Sequence, residues 1–224
     1  MQKSKLLSVV YSLLTAVVVL TGAIAAPLLC RPFYYAHIEA LELPQYLGLT
    51  ADQIRTAFNE MMDYCLGAAP EMQAGMFPFS PEGAAHFADV RVLFRLDLLL
   101  FGGGLLSLVI LLTLSHRRER TAYRFGGWTP AFWGAVGLGV TFLTVGGLAA
   151  LDFDRAFVVF HHLMFPGKDN WLFDVYTDPI ILILPEVFFR NCAILILVVL
   201  LVSCGVILLH AVRSRRTDRR DRER

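Results

Sequence analysis

The sequence lacks the short motifs that mark several common kinds of catalytic site. It has no Cys-x-x-Cys pair, no His-Glu-x-x-His zinc signature and no Gly-x-Ser-x-Gly nucleophile elbow. Ser80 is the one serine in residues 30–91 and 152–184, two segments that separate long apolar runs. These absences argue against a dithiol redox enzyme, a zinc hydrolase and a serine hydrolase.

Charged residues are scarce in four long stretches of the chain. The 224 residues are 56% hydrophobic with a mean hydropathy of +0.59, which is too apolar for a soluble domain of this size. Each stretch reaches the roughly 20 apolar residues that cross a bilayer as a helix. The sequence therefore predicts an all-α integral membrane protein with four transmembrane helices, at about residues 6–29, 92–114, 130–151 and 185–210.

These spans divide the chain into five parts. Residues 1–29 hold the N-terminus and the first transmembrane helix, 30–91 form a first extracytoplasmic segment, 92–151 hold helices two and three with a cytoplasmic loop at 115–129, 152–184 form a second extracytoplasmic segment, and 185–224 hold the fourth helix and a basic cytoplasmic tail.

The basic side chains decide the predicted orientation. Lys3 and Lys5 precede the first span, four arginines lie between the second and third spans, and seven follow the fourth. Residues 30–91 carry eight acidic and three basic side chains, and residues 152–184 carry five and two. Because basic loops stay in the cytoplasm, both termini are predicted to be cytoplasmic and the two acidic segments to form a small outer cap. The basic tail suits anionic headgroups and gives no reason to invoke nucleic acid.

Two features of the first third of the chain leave alternatives open. The first apolar run has a basic start and small residues near its end, so a cleaved signal peptide is an alternative to a first transmembrane helix. Cys30 and Cys65 both fall in the first outer segment, where a disulfide between them is an open alternative to two free thiols.

The first outer segment contains a clear helix signal. Thr50 is placed as an N-cap, with Gln53 three residues later. The apolar residues that follow recur at helical spacing, which predicts an amphipathic helix in the cap. Its apolar face comprises Ile54, Ala57, Phe58, Met61 and Met62.

Glycine is concentrated in the second and third spans. Small residues let transmembrane helices approach one another closely. The sequence therefore predicts close helix packing at Gly102, Gly103, Gly104, Gly134, Gly137, Gly139, Gly146 and Gly147.

Histidines are the most reactive side chains in the outer segments. His161 and His162 lie between the third and fourth spans, and His86 lies just before the second. Both the acid and the base form of histidine are accessible near neutral pH. Adjacent helical residues point about 100° apart, so His161 and His162 are not expected to serve one site together. Because no further ligand follows at zinc spacing, we predict no metal site.

Charged residues near the second span are candidates for supporting roles. Asp89 follows His86 by three residues and is placed to orient its ring. Arg91 is suited either to the site or to anchoring at headgroups.

Charged residues also open the fourth span. Glu186 and Arg190 have the i, i+4 spacing of a helical ion pair, which either braces the helix or faces substrate. Asp97, just inside the second span, is a candidate partner for Arg95 or Arg190.

Two longer patterns run through the outer segments. They are F-H-x-x-x-F…W…D-P-x-I…L-P-E-x-F-F from residue 160 to residue 189, and H-x-x-D-V from residue 86 to residue 90. Together they resemble the lipoprotein intramolecular transacylase (Lit) family of bacterial membrane proteins. The matching residues are Phe160, His161, Phe165, Trp171, Asp178, Pro179, Pro185, Glu186 and Phe189, with His86, Asp89 and Val90.

The resemblance implies a four-span enzyme that moves a fatty acyl chain within a diacylated lipoprotein. The acyl chain leaves the second glycerol oxygen and reaches the α-amino group of the terminal cysteine, which gives the lyso form. The family's functional histidines correspond to His86 and His161, although the second histidine at position 162 leaves open which of the pair reacts. We expect binding or supporting roles for Asp89, Arg91, Trp171, Asp178, Glu186 and Arg190.

The same resemblance sets expectations about partners and location. No cofactor is expected, because acyl donor and acceptor occupy one substrate molecule. The expected partners are the diacylated lipoprotein and membrane lipids. The protein is expected to act as a monomer in the bacterial cytoplasmic membrane, with its active site at the outer leaflet.

Two other interpretations of the residues stay open. One is a non-enzymatic four-helix membrane protein, such as a transporter subunit or assembly factor, whose histidines and acidic residues only stabilise a loop. The other is a thiol-redox enzyme that uses Cys30 and Cys65, although the absence of a Cys-x-x-Cys pair speaks against it.

Overall fold

The structure, a computed structural model, describes residues 2–117 and 120–223, and the side chains of residues 4–115 and 122–217. The helices in these ranges are α1 (Lys5–Leu29), α2 (Arg31–Ala40), α3 (Leu43–Leu47), α4 (Ala51–Leu66), α5 (Pro81–Arg117), α6 (Pro130–Leu151), α7 (Phe153–Met164), a 3₁₀ helix (Pro179–Ile183) and α8 (Glu186–Glu223). Two short strands, β1 (Gln2–Ser4) and β2 (Arg120–Ala122), pair in parallel.

Four helices are long and apolar enough to cross a membrane, which confirms the predicted fold class. They lie at Lys5–Leu29, Pro81–Ser115, Pro130–Leu151 and Glu186–Thr217. Arg118 and Arg224, two of the arginines behind the predicted orientation, lie outside the described residues. The orientation of the termini therefore stays a prediction.

Helix α5 begins well before the apolar run that the sequence marks as the second span. Pro81 occupies its first turn, where a missing N–H costs nothing, and the Ser80 hydroxyl accepts a hydrogen bond from the Gly83 N–H at 2.9 Å. The helix therefore carries His86 and Asp89 on its first turns, ahead of the apolar residues.

The chain forms two compact units, of which the first is built from membrane-span segments. This span unit comprises Met1–Ala25, Leu98–Gly147 and Leu195–Arg224. Its described buried core is small and contains Ala23, Ala135, Leu200 and Cys204.

Only some glycines of the span unit permit close packing. A Cβ on Gly134 would lie 2.6 Å from the Ser12 carbonyl oxygen, and one on Gly146 would lie 2.8 Å from Leu197. Gly104 faces Val18 in the same way, and Gly139 is in ordinary contact with Cys204. The prediction was wrong for the others: a Cβ would meet no other described atom within 4 Å at Gly102, Gly103, Gly137 and Gly147.

The second unit, the cap unit, comprises Ala26–Asp97 and Leu148–Ile194. Tyr34 of α2 stacks on Phe58 of α4 with ring centroids 3.6 Å apart, and its hydroxyl donates to the Ile183 carbonyl at 2.8 Å. The two segments predicted to form the outer cap therefore share one hydrophobic core. Burial of large apolar side chains such as these supplies about 1.5–3 kcal/mol each.

Helix α4 confirms its sequence signal in detail. The Thr50 hydroxyl accepts from the Gln53 N–H at 3.2 Å, and the Gln53 side chain accepts from the Thr50 N–H at 2.8 Å. This is the predicted capping box. The five apolar residues of the predicted face are all buried.

All four cysteines are free thiols. Cys30 is exposed and Cys65 is buried in the cap core, so the disulfide left open by the sequence is not formed.

We predict that Gly134→Ala destabilises the span unit whereas Gly137→Ala does not. Both changes gain the helix propensity of alanine, but only the first forces a methyl group against a backbone oxygen. Overpacking of this kind costs about 1–3 kcal/mol. Thermal unfolding of the two purified variants in the same detergent gives the comparison, and equal melting temperatures would contradict the packing of α6 on α1.

Candidate active site

His161 lies near the end of α7 and is held by its own helix. Its Nδ1 lies 2.8 Å from the Phe157 carbonyl oxygen one turn earlier. A carbonyl only accepts hydrogen bonds, so Nδ1 carries the proton of the neutral ring and Nε2 carries the lone pair. Nε2 has no hydrogen-bond partner among the described residues. The ring therefore presents a free base.

Aromatic side chains surround His161, which is only 8% exposed. Trp171 stacks on it with ring centroids 4.6 Å apart, and the Trp171 Nε1 donates to the Lys168 carbonyl at 3.0 Å, which fixes the indole. Burial lowers the pKa of His161, the bond to Phe157 offsets part of this, and the His162 ring lowers the pKa further. The net pKa lies below the ordinary value, so the ring is neutral near neutral pH.

His162 points elsewhere. Its side chain is exposed, and its ring lies edge-to-face with that of Trp171, with ring centroids 5.5 Å apart. The divergence follows from the rotation between adjacent helical residues. His161 is therefore the member of the pair that lies inside the aromatic cluster.

His86 lies beside His161. Its ring is 6% exposed, and the two ring centroids are 6.0 Å apart. Phe165 and Phe173 pack edge-on against it, at 4.9 and 5.4 Å. Its Nδ1 is buried and has no hydrogen-bond partner within the described ranges. The structure thus brings together His86 and His161, two of the histidines that the sequence singled out, in one aromatic cluster of the cap unit.

Asp178 fixes the start of the helix that carries His86. This residue is 3% exposed, and its Oδ1 accepts from the Ser80 N–H at 2.8 Å while its Oδ2 accepts from the Thr177 hydroxyl at 2.8 Å. Burial would raise the pKa of Asp178, but these hydrogen bonds hold it below its ordinary value. The residue is therefore a carboxylate, and it complements the positive end of α5.

Gly83 makes this contact possible. A Cβ at position 83 would overlap the Asp178 carboxylate and lie 3.3 Å from Phe173. A side chain here would push α5 away from the segment that carries Trp171 and Phe173.

Asp89 anchors the same segment from the other side. Its oxygens accept from the Lys168 Nζ at 2.6 and 2.7 Å, and Oδ2 also accepts from the Asn170 amide at 3.3 Å. The sequence placed Asp89 to orient His86, but no hydrogen bond joins these two side chains in the described part of the chain. Its carboxylate binds Lys168 and Asn170 instead.

Comparison with known proteins assigns the chain to a family. The sequence profile described as lipoprotein intramolecular transacylase Lit matches residues 9–189. The chain belongs to the lipoprotein intramolecular transacylase (Lit) family. It is therefore an enzyme, a transacylase of lipoproteins, and the non-enzymatic interpretation is not favoured. Comparison with curated proteins gave no match.

Solved structures support the fold of this Lit family member. The membrane-integral Lit of Bacillus cereus superposes with a TM-score of 0.82 at 24% identity, over 96% of each chain. Two variants of that protein, with one histidine replaced by arginine or by alanine, superpose with TM-scores of 0.74 at 24% identity, over 95% of this chain and 93% and 94% of theirs. At this identity the likeness shows the fold alone.

Arg91 has a structural position in the Lit fold. Its guanidinium donates to the Ala69 carbonyl at 2.9 Å and lies over the Tyr64 ring at 4.6 Å. These contacts tie α5 to the end of α4, and the cation–π contact adds about 0.5–1 kcal/mol at an exposed site. Arg91 therefore supports the cap from within the protein and does not simply anchor it at headgroups.

Glu186 and Arg190 do not form the predicted ion pair. Both side chains are exposed, and no salt bridge joins them among the described residues. Helical spacing brings two side chains within reach, but exposed pairs gain little from contact and need not form it.

Asp97 also lacks its predicted partners. Neither Arg95 nor Arg190 forms an ion pair with it in the part of the chain that the structure describes. The residue is 9% exposed, and its Oδ2 has no hydrogen-bond partner there.

Several residues of the candidate site have no signal in the sequence. Lys168 and Asn170 reach Asp89 across about 80 positions of chain. The Phe157 carbonyl is main chain, so only the helical spacing to His161 could have indicated it. No group of three or more metal-ligating side chains occurs among the described residues.

We predict that Asp178→Ala lowers both stability and transacylase activity. The change leaves the partly buried Ser80 N–H without its acceptor, which costs about 1–3 kcal/mol, and frees the turn that precedes His86. Asp169→Ala is the control, since that carboxylate is exposed and a surface change of this kind stays within about 0.5 kcal/mol. Thermal unfolding and turnover of both variants check this; equal values would show that Asp178 does not position α5.

Proposed function

We propose that this enzyme moves one fatty acyl chain from the second glycerol oxygen of a diacylated lipoprotein to the α-amino group of its N-terminal cysteine. A carbon–nitrogen bond forms, the carbon–oxygen ester bond breaks, and the glycerol oxygen leaves as a hydroxyl in the lyso-form product. The observation that carries the proposal is the buried pair of histidines, His86 and His161, in a chain of the Lit family.

The number of protons transferred in the reaction explains why two bases are useful. The α-amino group has an ordinary pKa of about 7.7–8.0, so near neutral pH most of it is ammonium. An ammonium must lose two protons to become an amide nitrogen, whereas the glycerol oxygen gains only one. Two neutral histidines accept the two protons; one returns its proton to the glycerol oxygen and the other releases it to water.

His161 is the base that acts on the attacking nitrogen. Its Nδ1–H is committed to Phe157, which leaves the Nε2 lone pair free for the substrate. Stacking on Trp171 holds the ring in one orientation, so the lone pair does not have to be positioned during the reaction.

His86 is the group that serves the leaving oxygen. The two ring centroids are 6.0 Å apart, which is close enough for both rings to act on one ester group. Once protonated, His86 donates to the oxygen that gains charge at the ester, and it then gives up this proton as the glycerol oxygen departs. Its aromatic surroundings exclude water, which strengthens that interaction.

The remaining features of the proposal follow from the substrate. The ester is itself the activated acyl donor and the amine belongs to the same molecule, so the reaction needs no cofactor. Both histidines come from one chain, which suits a monomer. Lipoproteins carry their acyl chains in the membrane. In the proposed orientation both termini are cytoplasmic and the cap unit lies at the outer leaflet, so the two histidines are near the glyceryl ester of the substrate.

Glu186 and Arg190 are proposed substrate contacts at the surface of the cap unit. Glu186 is exposed in the first turn of α8, and Arg190 is exposed one turn later. A carboxylate there is complementary to the α-ammonium group, and the Arg190 guanidinium is complementary to an ester carbonyl. We expect the double variant Glu186→Gln with Arg190→Gln to fold with an unchanged melting temperature and to turn over more slowly. Normal turnover would remove both residues from the site.

We predict that His161→Ala abolishes acyl transfer, while His162→Ala, a matched change one residue away, leaves most of it. The first removes the base and the second removes an exposed ring. Loss of a general base lowers turnover by about 10²–10⁴-fold. The readout is fragment-ion mass spectrometry of a lipoprotein substrate, which locates each acyl chain. N-acylated product at the normal rate in the His161→Ala variant would refute the assignment.

We predict that kcat/KM falls on the acid side with a midpoint below about 6.5, the ordinary pKa of histidine. The neutral ring is the reactive form and burial lowers the pKa of His161, so activity persists above that pKa and is lost as the pH falls through it. A pH profile of the purified enzyme in detergent checks this. A midpoint above about 7 would contradict a buried neutral base.

A further inference from the structure

Asn170 lies at the meeting point of the two outer segments. Its amide nitrogen donates to Asp89 Oδ2 at 3.3 Å. Because a carboxylate only accepts, this bond decides which end of the amide faces Asp89. The carbonyl end, Oδ1, must point the other way.

That carbonyl end is left without a partner. Asn170 Oδ1 is buried and makes no hydrogen bond with the described residues, and the same is true of His86 Nδ1. Asn170 binds Asp89, which follows His86 by about one turn on α5, so the two side chains are neighbours. A buried acceptor and a buried potential donor thus occur on neighbouring side chains, and each unpaired group of this kind costs about 1–3 kcal/mol.

We propose that Asn170 is a positioning residue of the transacylase, whose Oδ1 accepts a hydrogen bond from His86 Nδ1–H and so fixes the tautomer of that ring. Asp89, which was expected from the sequence to orient His86 directly, then acts indirectly, because it orients the Asn170 amide. Lys168 completes the chain of contacts by holding Asp89 through two short hydrogen bonds.

With this hydrogen bond, both histidines present the same ring nitrogen to the substrate. His161 already carries its proton on Nδ1 because of Phe157. With Nδ1–H of His86 committed to Asn170, both rings offer Nε2 to the substrate, as the two-proton scheme requires. This inference rests on the proposed function for its role in catalysis, although the tautomer itself does not depend on activity.

One short stretch of chain then positions both histidines. Trp171 stacks on His161, and its indole is fixed by the Lys168 carbonyl, while the Lys168 side chain holds Asp89. Asn170, between them, faces His86. Residues 168–171 therefore couple the two rings to one another.

The decisive measurement is the tautomer of His86, read from ¹⁵N chemical shifts of the ring nitrogens in histidine-labelled enzyme above pH 7. The His86 signal is identified by its disappearance in His86→Ala. We expect a single tautomer with the proton on Nδ1 in the wild type, and both tautomers in Asn170→Ala. A wild-type ring with its proton on Nε2 overturns the proposal, and this reading stands even where the variant fails to fold.

Turnover supplies a second test with a matched control. Asn170→Ala should lower kcat by about 10- to 100-fold with little change in KM, as expected for loss of one hydrogen bond to a charging group. Asn59→Ala removes an asparagine that accepts from Arg31 and Tyr35 in the same unit, and it should lower stability without altering the His86 signal. An unchanged kcat in a folded Asn170→Ala variant overturns the proposal.

The activity of His86→Ala and the tautomer of His86 test the proposed function and the role of Asn170 separately. If His86→Ala is active, the proposed function fails whatever the tautomer is. If His86→Ala is inactive and the tautomer does not depend on Asn170, only the role of Asn170 fails.

Discussion

The contact between Asp178 and the first turn of α5 is the constraint on which the site depends. A buried carboxylate at the positive end of a helix is favourable when a backbone N–H there donates to it, as the Ser80 N–H does to Asp178. Because Gly83 has no side chain, the segment that carries Asp178 can approach α5 closely enough for this bond. This contact sets the position of α5 against the 170–178 segment. His86 follows one turn later and Trp171 precedes Asp178 by seven residues, so the same contact brings His86 beside the His161–Trp171 stack. Without it the two histidines would belong to separate outer segments with no fixed distance between them.

The aromatic cluster that results surrounds two polar rings with apolar side chains, and this combination suits the proposed chemistry. Burial favours neutral imidazole over imidazolium, so the rings start as bases. Hydrogen bonds to fixed acceptors then decide which nitrogen is free, as the Phe157 carbonyl does for His161. Phe165, Phe173 and Trp171 keep water away from a reaction whose competing outcome is hydrolysis of the ester. The proposed substrate fits this setting, because its ester and its amine belong to one molecule and positioning then supplies much of the catalysis.

Local and compositional signals explain what the sequence could predict. Apolar runs of spanning length indicate the four long helices, the Thr50–Gln53 spacing indicates α4 and its buried face, and helical geometry separates His161 from His162. Pairings over long distances could not be predicted in this way. Asp89 has several cations and amides within the outer segments, and only the fold selects Lys168 and Asn170. The i, i+4 spacing of Glu186 and Arg190 indicated an ion pair, but these two exposed side chains do not form one. Whether Gly137 and Gly147 face another helix depends on the rotation of α6 about its axis, which glycine content does not specify.

The most direct test of the central claim follows the origin of the acyl chain on the cysteine nitrogen. Purified enzyme is incubated with an unlabelled diacylated lipoprotein in bilayers whose phospholipids carry deuterated acyl chains, and the product is analysed by fragment-ion mass spectrometry. Intramolecular transfer, catalysed by the two histidines, only rearranges one substrate molecule. The account therefore predicts an unchanged intact mass, an unlabelled acyl chain on the cysteine nitrogen and a single acyl chain left on the glyceryl group. An increase in mass by one deuterated acyl chain, or a nitrogen that stays unacylated in the presence of active wild-type enzyme, would contradict it.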